Sequence, residues 1–405
     1  MTYFPNITIK NFADSTNLDG FGRLKVSNPY TQFDAKQISG NPLDAILFVS
    51  KSVSNASASY SSNRASTTIS VVATSGSRYI RQSRKRMNYQ PGKGLTIIET
   101  FVFGTGSTGI IKRIGYFDDN NGIFFEQSAS NINMVLRSSV TGVPVETRVS
   151  QSAWSTNKFD GANPAVYAFD PTKAQIFNMD IQWLGTGRVR TGFFQSGSLY
   201  TAHEFSNAGQ TSTYMSTPNL PVRMEIENYT NTSANSMELI CAGVQTDAGN
   251  ETAGFQRAAD RSTSTKTIVT GAFKPVLSIK LTSGSNQIVI PTSFSFYCTT
   301  ADIFKWAVLL NPTYSSTDSP AWQTVTSSCV QYDITRDGTV AGGIVIDSGY
   351  GTGGGSNAAR VVSDTAINSS LVLGATVDGV SDEIVLAVQP LTTLNMLAHI
   401  NWNED

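Results

Sequence analysis

Almost nowhere in this chain do apolar residues recur with the 3.6-residue period of a helix. Short β-branched or aromatic runs recur instead, each closed by Gly, Asn, Ser or Asp. Residues 95–103 (LTIIETFVF), 110–117 (IIKRIGYF) and 122–127 (GIFFEQ) are three of them, and others lie at 131–137, 174–184, 188–194, 199–205, 222–228 and 237–244. About nine strands at such spacing predict a sandwich or jelly roll. Residues 174–185 (AQIFNMDIQWLG) show the logic. Phe177, Met179, Ile181 and Trp183 fall on one face, while Ile176, Asn178, Asp180 and Gln182 fall on the other, expected to point outward.

The 405 residues predict two or three domains. Residues 246–266 (TDAGNETAGFQRAADRSTSTK) are polar and carry no strand pattern, which reads as a linker with a short helical turn near residues 256–260. Beyond it strand-like runs resume, so residues 267–405 form a second sandwich, with 351–355 (GTGGG) a loop inside it. Residues 61–245 form the first. Residues 1–60 are turn-rich and extended, with few places to bury anything, and read as an arm that folds against a neighbour. The expected class is therefore all-β, with two tandem β-sandwiches preceded by an extended N-terminal arm.

Only 15% of residues are charged, against the roughly 25% usual in soluble domains. The net charge of −1 supplies no field for nucleic acid or an anionic membrane, so neither is an expected partner. A near-neutral, hydroxyl-rich surface favours association, which suits an assembly. The first residues (MTYFPN) have neither the basic nor the apolar region of a signal peptide, and no run reaches the ~18 apolar residues that span a bilayer. A soluble protein made in the cytosol is expected. Cys241, Cys298 and Cys329 are odd in number and far apart, which argues for small buried side chains rather than disulfides.

Several motifs suggest chemistry. Residues 104–109 (GTGSTG) match a dinucleotide fingerprint, but a strand follows where a helix N-terminus is required, so a hairpin turn is the better reading. Residues 118–122 (DDNNG) place Gly one position too early for an EF-hand and read as a tight type I′ turn on Asn121-Gly122. A calcium site between loops is the weaker alternative. His203 and His399 are the only histidines, too few for a zinc constellation with the scattered cysteines. Glu225 and Glu227 share a strand face and could in principle act on a glycoside, although an exposed polar face is the plainer reading. No enzyme and no cofactor are expected. The dense basic stretch Arg78, Arg81, Arg84, Lys85 and Arg86, interleaved with Tyr79 and Tyr89, reads as a protein interface or a solvated edge. The interface is favoured because the domain offers no companion patch to make a nucleic-acid footprint.

Residues 19–37 (DGFGRLKVSNPYTQFDAKQ), 89–93 (YQPGK), 113–126 (RIGYFDDNNGIFFE), 180–190 (DIQWLGTGRVR) and 217–223 (TPNLPVR) together resemble structural proteins of tailed bacteriophages, especially aquatic ones. Related sequences occur in some large DNA viruses. The resemblance covers residues 19–262 and weakens beyond. It implies a virion protein, assembled in the host cytoplasm, on the capsid surface or the tail. The region 185–194 is also similar to the concanavalin-like lectin sandwich, which implies a lectin-like or jelly-roll first domain and hints at glycan binding.

Two roles follow. The first is a capsid decoration, fibre or vertex protein that binds other virion proteins through Phe21, Arg23, Tyr30 and Phe33, aromatic and Arg side chains being the usual anchors. Arg81, Arg84, Lys85 and Arg86 would add contacts, and a closed homo-oligomer such as a trimer is expected. Deleting residues 1–40 should then block incorporation without unfolding the sandwiches. The second is a tail-associated module recognising a host glycan or receptor through loops bearing Tyr200, Tyr214, Trp322 and Tyr350.

Overall fold

Alternation of apolar and polar residues along short segments is what this chain offers, and antiparallel sheets are what it forms. The computed structural model describes Leu18 and residues 24–38, 46–230, 233–249, 254–285, 287–300, 302–315, 319–353, 361–363 and 372–405. Among them the only helical piece is a 3-10 turn at Gln151–Ala153, and no helix is long and apolar enough to cross a membrane.

The first sandwich starts with β1 (Tyr30–Lys36), β2 (Phe48–Val53), β3 (Ser57–Ser61), β4 (Ser66–Val71), β5 (Ser77–Ser83), β6 (Leu95–Val102), β7 (Ile110–Phe117) and β8 (Gly122–Ser128). It continues with β9 (Asn131–Ser138), β10 (Val145–Ser150), β11 (Gln175–Ile181), β12 (Val189–Gln195), β13 (Ser198–Phe205), β14 (Val222–Asn228) and β15 (Asn235–Thr246). One sheet runs β13-β12-β11-β6-β15-β4-β3, with β1 added along β15, and the other runs β10-β9-β8-β7-β14-β5-β2. Inward-facing side chains alternate as period-2 packing demands: Phe177, Met179 and Ile181 on β11 meet Ile123 and Phe125 on β8 and Met224 and Ile226 on β14. Phe125 is the hub, with ring centroids of Phe103, Phe177 and Phe193 at 5.3, 5.6 and 5.2 Å.

The second sandwich comprises β16 (Phe255–Asp260), β17 (Lys266–Ile268), β18 (Lys274–Leu281), β19 (Val289–Cys298), β20 (Ile303–Leu310), β21 (Thr313–Tyr314) and β22 (Gln323–Thr324). It ends with β23 (Val330–Asp333), β24 (Val340–Ala341), β25 (Ile344–Thr352), β26 (Val361–Ser363), β27 (Glu383–Pro390) and β28 (Leu394–Glu404). A sheet ordered β16-β28-β19-β26, with β17 also on β28, packs on one ordered β22-β23-β18-β27-β20-β25. Phe294, Phe296, Trp306, Ile384 and Trp402 fill the space between them.

Five expectations change. The segment 1–60 is not all arm: β1 pairs with β15 and buries Phe33 and Ala35 in the first core, and β2 and β3 extend both sheets. Residues 246–266 are not a strandless linker, because β16 pairs along β28 over the stretch read as a helical turn, and β17 begins at Lys266. The polar face of β11 is not solvated. Asn178 and Asp180 are buried, with Lys25 reaching Asp180 (3.2 Å) and Asp247 (3.4 Å) while Arg190 donates to the Leu18 carbonyl (2.6 Å). Residues 104–109 form no hairpin turn, since β6 and β7 belong to different sheets and the glycines cross between them.

The hairpin at 118–122 exists without the type I′ turn: Asp118 accepts the amides of Asn120 and Asn121 (2.8 Å each), closing a four-residue loop. Gly122 is required there because a Cβ would strike Phe117 at 2.2 Å.

One core position contradicts its surroundings. Glu99 on β6 points inward between Ile97 and Phe101, fully buried, and both its oxygens lack a hydrogen-bond partner. Burial pushes its carboxyl well above the ordinary value of 4.5, so the core holds the protonated form. The folded chain then keeps a proton that the unfolded chain releases, and stability falls as pH rises above 4.5. Glu99→Met is expected to stabilise the protein near neutral pH by about 1–3 kcal/mol, the usual cost of an unsatisfied buried polar group. Thermal melts on either side of pH 4.5 should show the gain largest at the higher pH; equal melting of mutant and wild type throughout would refute it.

Candidate recognition surface and the cleft beside it

The outer face of the seven-stranded sheet carries a dense network of opposite charges, placed there by strand register. Glu225 on β14 lies opposite Arg113 on β7, and Arg113 lies opposite Glu126 on β8. Arg137 on β9 likewise faces Glu146 on β10. The result is a ladder of alternating sign. Arg113 donates to Glu126 and Glu225, at 2.9 Å each, and Glu225 also receives Arg78 (2.9 Å) and Arg223 (2.7 Å). Arg148 reaches Glu126 at 2.9 Å and Arg137 reaches Glu146 at 2.6 Å. Phe117, Phe124 and Val135 share this face and are buried although they lie outside the core. Guanidinium planes roof them, Arg137 at 4.9 Å from the Phe124 centroid and Arg223 at 5.2 Å from that of Phe117.

This environment decides what Glu225 can do. Burial alone would raise its pKa, but the charges of Arg223, Arg113, Arg78 and Arg137 outweigh that and hold it at about 2. A carboxylate pinned in its ionised form cannot be a general acid near neutral pH. Glu227, its neighbour on the strand, is partly exposed and lies 3.9 Å from Arg113. The pair therefore belongs to the ladder and is not the acid–base couple that a glycosidase needs. Because the folded-state pKa is depressed, Glu225 stabilises the fold above the ordinary 4.5, and that contribution disappears as pH falls towards about 2. Glu225→Gln is expected to cost about 3–5 kcal/mol, the usual penalty for removing one partner of a buried ion pair. It should also remove part of the acid limb of the stability–pH curve, which chemical denaturation at a series of pH values would read; an unchanged limb would contradict the ladder's role.

Beside the ladder, a cleft of about 330 Å³ separates the two sandwiches, with Arg86, Asp119 and Arg223 on one wall and Ser285, Gln287 and Thr376 on the other. It is bolted at its edge by an ion pair between Arg84 and Asp382, both buried, and by contacts of Lys51 with Asp378 and Asn88 with Asp405. Gly374 permits this approach, since a Cβ there would meet the Arg84 carbonyl at 2.9 Å.

The residues expected to bind partners are placed as follows. Tyr30 opens β1 and is 40% exposed. Phe33 is buried edge-to-face against Phe48 (5.7 Å), and Arg81 lies over the same Phe48 ring (4.3 Å) with 1% exposure. Lys85 donates to the Gln32 carbonyl (3.0 Å), and Arg86 to Asp118 (2.9 Å) and the Asn219 carbonyl (3.0 Å). So Phe33, Arg81 and Arg84 are buried inside the chain and not at its surface, a correction that follows from contacts far apart in sequence, while Lys85 and Arg86 stay partly exposed beside them. Phe21 and Arg23 lie outside the described residues. Asp118, raised as a calcium ligand, gives its oxygens to two backbone amides and Arg86. Cys298 and Cys329 are buried thiols, and burial lifts Cys329 to about 11.

No family model matches the chain, and no curated protein matches it. Solved structures similar in fold include a protein of unknown function from Shewanella oneidensis MR-1, with TM-score 0.37 and 11% identity over 58% of this chain and 93% of that one. A legume lectin-like domain from Entamoeba histolytica has TM-score 0.31 and 7% identity over 53% and 96%. The CBM2 module of the evolved Dit of Lactobacillus casei BL23 phage J-1 has TM-score 0.34 and 6% identity over 55% and 98%. The expected class, all-β with two antiparallel sandwiches, is the one observed.

Proposed function

We propose that this chain is a non-enzymatic structural component of a virus particle: a capsid-surface decoration, fibre or vertex protein held through its N-terminal residues. The supporting observation is the internal use of its charge. The Arg–carboxylate ladder, the Arg84–Asp382 bolt and the Lys25–Asp180–Asp247 clasp all stiffen the molecule. Glu225, the most promising catalytic carboxylate by position, is fixed as an anion by that same network. The ordered sequence resemblance to phage structural proteins points the same way. Other virion proteins are the proposed partners, and a closed homo-oligomer such as a trimer is the proposed state.

Immunogold labelling of intact particles with an antibody to residues 265–405 tests location. Label over the head is expected. Particles without label would sink the virion assignment. A truncation tests attachment, and it must stop before β1, because removing residues 1–40 would strip a strand carrying Phe33 from the core. Deleting residues 1–17 together with Phe21→Ala and Arg23→Ala spares β1 and the buried Leu18, whose carbonyl accepts from Arg190; incorporation should be lost with the thermal melt nearly unchanged. Normal incorporation of the truncated chain would reject the N-terminal anchor.

A second reading, a tail-associated host-recognition protein, is favoured by a different observation. At the open edge of the first sandwich lies a groove in which the side chains of Thr147, Ser206, Gln210, Ser212 and Thr213 form no hydrogen bond within the chain. Label confined to the tail, together with adsorption blocked by the antibody, would select this reading. Adsorption that the antibody leaves intact would dismiss it.

A further inference from the structure

The geometry points to the groove between the two edge strands β10 and β13 as a binding site for a neutral saccharide chain. This rests on the recognition reading above and assigns it a place and a ligand class.

The two sheets of the first sandwich end on this side in β10 and β13, each the last strand of its sheet. Between them the sandwich stays open, and the loop 206–214 after β13 forms the far wall. The groove has a volume of about 480 Å³, larger than the cleft between the sandwiches and within the ~300–1,000 Å³ typical of small-ligand sites. Its floor is apolar, made by the outermost core residues Leu136 and Phe205 with Val140 and Val145 beside them. Hydroxyls and amides line the rest: Ser138, Thr147, Ser206, Gln210, Ser212 and Thr213.

Three features select the ligand. The first is charge. Glu204 is the one carboxylate in the lining, and Arg188 neutralises it at 3.3 Å from outside the groove. No Lys or Arg lines it, so an anionic ligand finds no counter-charge.

The second is unused hydrogen-bonding capacity. Among the described residues, the side chains of Thr147, Ser206, Gln210, Ser212 and Thr213 form no hydrogen bond within the chain. The cleft beside the ladder differs, its charged groups being paired with one another. Hydroxyls and primary amides both donate and accept, which matches sugar hydroxyls that do the same. Ser and Thr also lose little rotamer entropy on being fixed.

The third is the apolar strip on the floor, suited to the C–H face of a pyranose ring. An extended peptide would instead pair with the free backbone edge of β10 and leave the groove's side chains unmatched.

Two of the aromatic residues expected in recognition loops, Tyr214 and Trp322, offer no stacking face to this groove. Tyr214 is 3% exposed with its hydroxyl donating to the Gln182 carbonyl (3.1 Å), and Trp322 lies under Lys280 at 4.4 Å in the second sandwich. The groove uses Tyr214 as buried wall.

The test is a glycan array of neutral and acidic oligosaccharides probed with the labelled full-length chain, followed by titration of the best ligand. Binding to a neutral glycan, insensitive to added salt, is expected. Gln210→Ala and Thr213→Ala should each weaken it about 3- to 10-fold, the range for one lost hydrogen bond. Val145→Trp, which narrows the mouth, should abolish it, and Tyr350→Ala, 73% exposed in the second sandwich, should leave it unchanged. All four positions are at least partly exposed, and unchanged melts would show that the fold is intact. Absence of any neutral hit overturns the proposal, whether or not the chain is retained on denatured casein, the result expected of a peptide groove. Binding only to acidic glycans, or binding indifferent to the groove variants, overturns it too. Antibody block of adsorption without a neutral hit leaves host recognition standing and removes this site from it.

Discussion

Two sheets packed face to face bury their inner sides and leave two outer faces that must be wetted or covered. Much of the polar chemistry here follows from how the first sandwich covers both. The seven-stranded sheet is roofed by its own arginines: Arg137 lies across Phe124 while bonding Glu146, and Arg223 across Phe117 while bonding Glu225. On the outer face of the eight-stranded sheet, Lys25 reaches in from the N-terminal side to pair with Asp180 and Asp247. A guanidinium suits the first task because it is flat enough to stack on a ring and still presents donors in its plane.

Concentrating charge in these places has a consequence for the remaining surface. With 15% of residues charged and many of them committed to the ladder and the bolts, the rest is left to Ser, Thr, Asn and Gln. Such a surface has little long-range field with which to steer a charged partner. Recognition on it must be short-ranged and shape-dependent. A groove lined by unpaired hydroxyls, or a broad contact with a neighbouring subunit, is the kind of interface this chemistry permits.

How much of this was legible depends on whether the deciding contact is local. Residues 222–228 were readable as a strand from alternation alone, and β14 has those bounds. The last strand is equally readable, since Leu394, Met396, Ala398, Ile400 and Trp402 alternate inward with polar residues between most of them. The basic stretch is a different matter. Arg84 finds Asp382, nearly three hundred positions away, and nothing near Arg84 announces it. Local composition marks that stretch for contact, but not that Arg84 makes its contact with another part of the same chain. β1 was hidden by the register shift between Thr31 and Phe33, which spoils the alternation a reader would look for. The groove was invisible for a further reason: its residues are ordinary Ser, Thr and Gln, and only the parting of two edge strands turns them into a site.

Two glutamates on opposite sheets show why residue type alone could not identify a site. Both are buried, Glu99 at 0% exposure and Glu225 at 1%. Burial drives each towards its protonated form. At Glu99 nothing opposes that drive, so the carboxyl goes into the core as a neutral group. At Glu225 four arginines reverse it and the charge persists to about pH 2. The outcome is set by which face of its sheet each residue occupies, the inner one with only apolar neighbours or the outer one within the ladder. Neither environment leaves a proton poised for transfer near neutral pH, since one carboxyl is sealed from water and the other is too weak a base. What the fold gains from Glu225 is a tie across three adjacent strands, β5, β14 and β7, that continues through Arg113 to Glu126 on β8.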